Sequence, residues 1–533
     1  MKIKYVLFLG TLLSLLCASP SAKANVYATN IKLNGATNNV AMSAGGNLQI
    51  SYILNEPATS GVSIDIFSEN TVVRTLTIAT GNPGAVRGTN SVSWDGKDGN
   101  GSAVAAGTYS IRITANATGY SGWTQISNDT DPGNYIWEPR GVAVNKNTNS
   151  PFYGRIFLAN SHTNTTITLP GDQVGILKAN ADGSFADEGG FSTGGYAWAG
   201  DLYSPWKLKV SDDDYVYVND WTGNGIILRF DQLISSNNYL NVLRDDNNPT
   251  GTANMTGPAI TGAGANTQVW MADVNYTAPA GTGITRWNVT ADGTCAQNDK
   301  GTKMVRTLSG SDINIYPYDV AVDKDGYIYT IQYRLNSGDA ANRVMRFPPY
   351  SGATEAIADW KIGSGSTTFQ GAFACAVDPT ATYVAVAFLK SGTSGSGGLA
   401  IFYATNGVLV TRSAAPLVDY RDVAWDNVGN LYACDNFDSY LRVYSPPGTN
   451  QAVTVAVESV AVSSPLTLSA PSWSANQFQF TLNGQTNQNY TIQTSTDLVN
   501  WTSVSTNNSA NATQVITLPA PTSQSFYRAL VGP

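Results

Sequence analysis

One phrase recurs through the middle of this chain and constrains its fold more than any other feature. PYDVAVDKDGYIYTIQ at 317–332 is echoed by PRGVAV at 139–144, PWKLKVSDDDYVYVND at 205–220 and YRDVAWDNVGNLYACD at 420–435. Each copy is a proline or aromatic lead-in and a Val-rich strand; the longer copies add an acidic turn and a second strand. The Val-rich strands fall at Gly141–Val144, Leu208–Val210, Val269–Met271, Val320–Val322, Cys375–Val377 and Val423–Trp425. Second strands follow as GRIFLAN (154–160), YVYVND (215–220), YIYTIQ (327–332), YVAVAF (383–388) and NLYACD (430–435). IILRFD (226–231), GITRWN (283–288) and RVMRFP (343–348) read as exposed third strands. Units so small cannot bury an apolar face alone, so they must stack on one another.

Spacings of roughly 50 to 65 residues suit four-stranded blades arranged radially, with Val and Ala nearest the axis. Six units can be counted. A seventh would follow if one blade were closed by strands from both ends of the region. The fold class expected is therefore all-β: an N-terminal Ig-like β-sandwich at 25–122, a six-bladed β-propeller at 123–460 and a small C-terminal β-sandwich at 461–533. The flanking sandwiches rest on alternation of period two. SIDIF (63–67), VVRTLTI (72–78), FQFTLNG (478–484) and YTIQTSTDLVNWTSV (490–504) show it. Trp501 and Tyr527 are expected in the C-terminal core, with Arg528 at an edge.

Residues 1–24 read as a leader. Lys2 and Lys4 precede the apolar run Tyr5 to Cys17, and Ala22-Lys23-Ala24 offers the small residues of a cleavage site before Asn25. The chain is thus expected to be exported, with no membrane span. Loss of the leader's three lysines takes the formal charge from −8 to −11. With 30 basic residues in 533 the chain lacks the basic stripe that phosphate backbones require, so nucleic acid is not an expected partner. After the leader Cys295, Cys375 and Cys434 remain, read as buried thiols, although Cys375 and Cys434 lie in neighbouring units and could pair.

Chemistry is expected at the propeller mouth. Residues leading into the innermost strands gather there, and they include Glu138, Arg140, Trp206, Lys207, Tyr318, Asp319, Arg421 and Asp422. Such a ring either binds a ligand or pairs its charges and plugs the channel. The loop GGYAWAGDLYSPW adds Tyr196, Trp198, Asp201 and Tyr203, an aromatic set that could stack on sugar rings or pack onto its blade. Asp95, Asp98 and Asn100 carry oxygens that could hold Ca²⁺ or fasten a tight turn. The single histidine, His162, offers one candidate for a Ser-His-Asp triad.

Three resemblances add to this. WDGKDGNGSAVAAGTY (94–109) resembles the Ig-like domain of flagellar hook-capping proteins, which implies a structural sandwich. The blade phrases resemble the NHL and SMP-30/gluconolactonase-like propellers, whose pattern is P-x-x-[IV]-A-V-D-x-x-G-x-[IL]-Y-V-[AT]-D. STDLVNW with FYR is similar to a C-terminal module of secreted proteins of verrucomicrobial-type bacteria. The lactonase-like relatives imply a divalent metal on Glu138 with Asp319 or Asp422, but Tyr318 stands where their asparagine would. The function expected is non-catalytic recognition of an extracellular glycan or protein. A metal-dependent, lactonase-like or sugar-directed hydrolase and a structural spacer are the alternatives.

Overall fold

A computed structural model describes residues 26–532, apart from 38–39, 199–203, 222–225, 249–253, 275–282, 307–316, 333–343, 353–356, 363–370, 390–396, 414–418, 449–451, 464–465, 485–487, 510 and 512. The leader, Asp201 and Tyr203 lie outside the described residues. Among the described residues strands dominate, and helix is confined to short 3₁₀ turns.

Six four-stranded sheets make up the central region. Their innermost strands are Pro139–Val144, Leu208–Val210, Asn254–Thr261, Pro317–Val322, Ala372–Val377 and Tyr420–Trp425. Each touches the next, and the last returns to the first, so the blades close a ring. The sixth blade takes its outermost strand, Thr124–Gln125, from before the first. Closure by strands from both ends therefore occurs, but it completes the sixth sheet and adds no further one.

The third unit corrects its sequence reading. Val269–Met271 belongs to the second strand of that blade, Gln268–Val274, and Asn254–Thr261 is the innermost. NMTGPAIT hides because Pro258 replaces the usual valine and Gly257 precedes it. The third strands also differ from expectation. Val344–Phe347 and Gly283–Asn288 are largely buried, because a fourth strand covers each. Exposure falls on that fourth strand, as at Leu409–Arg412.

The acidic turns that prompted the repeat are fasteners. Asp323 Oδ1 accepts the N–H groups of Asp325 and Tyr327, both at 2.9 Å. Asp426 Oδ1 does the same for Val428 and Asn430, and Asp378 Oδ1 for Thr382 and Tyr383. Each carboxylate replaces hydrogen bonds that the turn's backbone would otherwise lack. Cys295, Cys375 and Cys434 are free, buried thiols.

The N-terminal sandwich packs a sheet of Ala28–Leu33, Leu48–Leu54 and Gly88–Trp94 against a five-stranded one. That second sheet contains a strand from beyond the propeller. Val453–Ser463 runs antiparallel to Gly107–Ala115 and parallel to Val40–Ser43. The expected boundary at 460 thus cuts a sandwich strand, and the propeller is inserted within the sandwich rather than appended to it. Side chains join the two. Tyr27 Oη lies 3.1 Å from Tyr432 Oη, and Arg87 reaches Asp131 at 2.7 Å. Near Trp94, Asp98 Oδ1 accepts the N–H groups of Asn100 and Ser102, and Asp95 Oδ1 that of Lys97. The carboxylates of the expected Ca²⁺ set are spent on their own turn.

Two three-stranded sheets form the C-terminal sandwich. Phe480, Leu482, Tyr490, Ile492, Ile516 and Leu518 fill its core, and Tyr527 packs against them. Trp501 does not. Its ring lies outside that core, beneath the Arg528 guanidinium at 4.2 Å. A tryptophan opening an edge strand is covered more cheaply by a neighbouring cation than by reversing the strand's alternation.

Candidate binding site at the propeller mouth

The innermost strands bring their corresponding residues to the same height, so the channel is built in layers. Second residues form the upper layer: Arg140, Trp206, Thr256, Tyr318, Phe373 and Arg421. In five blades this residue is a β-bulge, skipped by the partner strand. Tyr318 is passed over between the pairs Pro317–Gln332 and Asp319–Ile331, and Arg140, Thr256, Phe373 and Arg421 likewise. In the remaining blade Trp206 precedes the strand. A bulge re-aims its side chain, which here lifts arginines and aromatics onto the mouth.

The third residues form the next layer and alternate around the ring. Lys207, Asp319 and Asp422 come from the second, fourth and sixth blades. Gly141, Gly257 and Ala374 come from the others. The glycines are required by close approach. A Cβ on Gly257 would lie 2.4 Å from Asp319 Cα, and one on Gly141 2.8 Å from Lys207 Cα.

Lys207, Asp319 and Asp422 side chains are fully buried. Lys207 Nζ lies 2.8 Å from Asp319 and 3.7 Å from Asp422, and it donates to the Phe373 carbonyl at 3.1 Å. Each aspartate also accepts a backbone N–H from the following blade, Asp319 from Cys375 and Asp422 from Val142. One layer down, the fifth residues are all alanine except Lys209, whose Nζ is 3.5 Å from Asp422. Two ammonium groups thus balance two carboxylates. Burial pushes the Asp319 carboxyl up, against the pull of Lys207 and Lys209. The same carboxylates raise Lys209, outweighing its own burial. Beneath this plug the alanine layer lines an open cavity of ≈ 110 Å³.

Above the plug lies an aromatic floor. Tyr318 and Phe373 centroids are 4.8 Å apart, and Trp206 and Trp221 centroids 4.7 Å apart. Arg140 lies over Trp206 at 5.4 Å and Arg421 over Phe373 at 5.2 Å. A polar chain crosses this floor. Glu138 accepts from Arg140 at 3.1 Å and from Asn436 at 2.8 Å. Arg421 donates to Asp419 at 2.7 Å and to Asn436 at 3.3 Å. Burial, with Arg421 nearby, pushes Arg140 down to about 10.

The eight expected mouth residues are therefore brought together, but in two layers with different fates. Lys207, Asp319 and Asp422 are the plug. Arg140, Trp206 and Tyr318 are nearly covered, whereas Glu138 and Arg421 remain partly exposed. Glu138, Asp319 and Asp422 do not converge as a metal set. Among the described residues no group of three or more His, Cys, Asp or Glu is placed to share an ion. Sequence reading missed Phe373, Trp221, Asp419 and Asn436. Aligning AFACAV with PYDVAV would have found Phe373, which shares the register of Tyr318.

The 194–198 segment packs onto its blade. Tyr196 Oη donates to Asp220 at 2.6 Å, and Trp198 Nε1 to the Thr193 carbonyl at 3.1 Å. Trp198 is 9% exposed and meets Phe230, so neither ring forms a shelf for a sugar.

The FlgD Ig-like domain family matches residues 36–119. No curated protein matches the chain. Among solved structures, an AA12 carbohydrate-active enzyme of Trichoderma reesei is 10% identical over 62% of this chain and 97% of its own, with a TM-score of 0.37. The WD40 propeller of Doa1 is 14% identical, covering 63% and 89% at 0.36. An α-L-arabinofuranosidase of Lactobacillus brevis is 10% identical, covering 58% and 91% at 0.30. At such identities and TM-scores these likenesses carry no argument about this chain. Among the described residues no helix is long and apolar enough to cross a membrane.

Proposed function

We propose that this chain is an exported, non-catalytic recognition protein that holds another protein at the propeller mouth. One observation carries the reading: among the described residues the four carboxylates that line the mouth layer and the plug each already have a cation. Glu138 has Arg140, Asp419 has Arg421, Asp319 has Lys207, and Asp422 has both lysines. A general acid or base must be within reach of substrate and poised to exchange a proton, whereas Asp319 and Asp422 are sealed below the aromatic floor. What the mouth does offer is arginine and an amide beside aromatic rings, the composition of a protein interface. The leader and the FlgD-type domain support export.

The test is cross-linking in the native cell envelope. The wild-type chain is expected to give a discrete protein adduct that R140A/R421A loses. Hydrolysis of a lactone or aryl glycoside, with Ca²⁺ or Zn²⁺ supplied and abolished by Glu138→Gln, would overturn the reading. A structural spacer is the second reading. The packing of Tyr196 and Trp198, and the return of Val453–Ser463 into the first sandwich, favour it. A spacer would give no adduct dependent on the arginines.

A further inference from the structure

The C-terminal sandwich carries an aromatic arrangement of the opposite kind. Its hairpin Thr467–Ser474 to Gln477–Asn483 turns through Ala475 and Asn476, both at positive φ (49° and 62°), the tight turn that matches strand twist. The turn sets Trp473 directly across from Phe478. Their centroids lie 4.9 Å apart, and Phe478 stacks on Tyr527 of the facing sheet at 4.9 Å and 29°. Phe480 anchors the ladder in the core at 3% exposure, and Trp473 ends it at 62%. Tryptophan exposed to this degree, at the end of a fixed aromatic ladder, is more than a scattered apolar residue. Among the described residues its indole N–H makes no hydrogen bond.

The surroundings select the ligand. Between 461 and 533 the only charged residues are Asp497 and Arg528. Arg528 is occupied by Trp501 and Gln493, and Asp497 fastens its own turn through Val499 and Asn500. Beside Trp473 on the paired strands stand Ser472, Ser474, Gln477 and Gln479, while exposed aliphatics such as Val499, Val515 and Val531 lie elsewhere along the module's strands and loops. An uncharged surface gives no attraction to a charged polymer. A flat indole with a free N–H, set among amides and hydroxyls, matches the C–H face and hydroxyl edge of a pyranose.

We infer that Trp473, backed by Phe478 and Tyr527, is a stacking platform for a neutral polysaccharide. This site is separate from the mouth and does not depend on the recognition proposed there. The test is affinity electrophoresis of the mature chain, residues 25–533, in gels holding a β-1,4-glucan, a β-1,3-glucan, a xylan or an α-glucan. Retardation by at least one of these polymers is expected. It should weaken about tenfold in W473A and partly persist in W473F. Circular dichroism and thermal unfolding would confirm that W473A folds. Protection of Trp473 from oxidation by N-bromosuccinimide, mapped by mass spectrometry, gives a readout in the wild-type chain. Retardation unaffected by W473A, or none by any polymer, overturns the inference. So does self-association that W473A abolishes, since the platform would then be covered by a second copy.

Discussion

Two of this chain's aromatic clusters have opposite surroundings. At the propeller mouth Trp206, Tyr318 and Phe373 are at most 4% exposed, roofed by guanidinium groups and resting on paired buried charges. In the C-terminal sandwich Trp473 is 62% exposed, in a module almost without charge. Aromatic content therefore does not identify a binding surface in this molecule. What does is whether the rings are already consumed by packing and cations. At the mouth they are a floor whose chemistry lies in the arginines above it, and in the C-terminal sandwich they are themselves the surface.

Truncation should separate the clusters most sharply. Trp206→Ala is expected to destabilise the propeller by about 3–5 kcal/mol, the cost of a large buried side chain and the cavity it leaves. Urea unfolding followed by circular dichroism measures this. A loss near zero would mean that the floor is not packed as described.

Lys207→Met tests the layer beneath. It leaves Asp319 and Asp422 with only Lys209, and breaking a buried pair costs about 3–5 kcal/mol. The quadruple variant K207M/K209M/D319L/D422L, which leaves no lysine unpaired, should recover much of that loss, because apolar groups of similar volume often replace buried ions without penalty. If the single and quadruple variants were equally destabilised, the charges would not be acting as a unit.

Much of this was legible beforehand, and the part that was not has a physical reason. Val-rich strands and acidic turns announce themselves because period-two burial and turn capping are local. The mouth residues of the innermost strands were also found by position. Their depth was not, because it depends on a bulge that shows only when two strands are paired, and on glycines at 141 and 257 that let neighbouring backbones approach. Blade three was shifted by one strand because Gly257 and Pro258 mask its alternation. The insertion of Val453–Ser463 into the first sandwich left no signal at all, since a strand's sequence does not say which sheet it joins. Trp473 was overlooked for the same reason, because exposure at a sheet's end is a property of the facing sheet's length.

Acid and base titration contrasts the charged and uncharged halves differently. Glu56 is 1% exposed, in the first sandwich, and accepts from Tyr120 Oη. Burial pushes its carboxyl up to about 7, opposed by the Tyr120 hydrogen bond and assisted by Asp426. A carboxyl raised in the folded state favours folding fully below its ordinary value near 4.5, and that advantage is lost as pH rises to about 7. The wild-type sandwich and propeller should thus lose about 3 kcal/mol between those limits from this group. Glu56→Gln should flatten that window and be the more stable protein at pH 8. An unchanged slope would show that Glu56 ionises without penalty.

The smallest expected effect on stability is the one that decides most about function. Trp473→Ala removes an indole that is mostly in water already, so it forfeits only a cross-strand pair with Phe478, below about 1 kcal/mol. Trp206→Ala removes a ring of the same chemistry at several times the cost, because that ring's surroundings cannot follow it. If W473A unfolded like W206A, the hairpin would depend on Trp473 for its structure, and its exposure would be incidental to binding. If W473A keeps its stability yet loses retardation by a polysaccharide, the indole is held outward for a ligand. The two substitutions, made in one chain and read by the same unfolding curve, thus separate an aromatic residue kept for packing from one kept for contact.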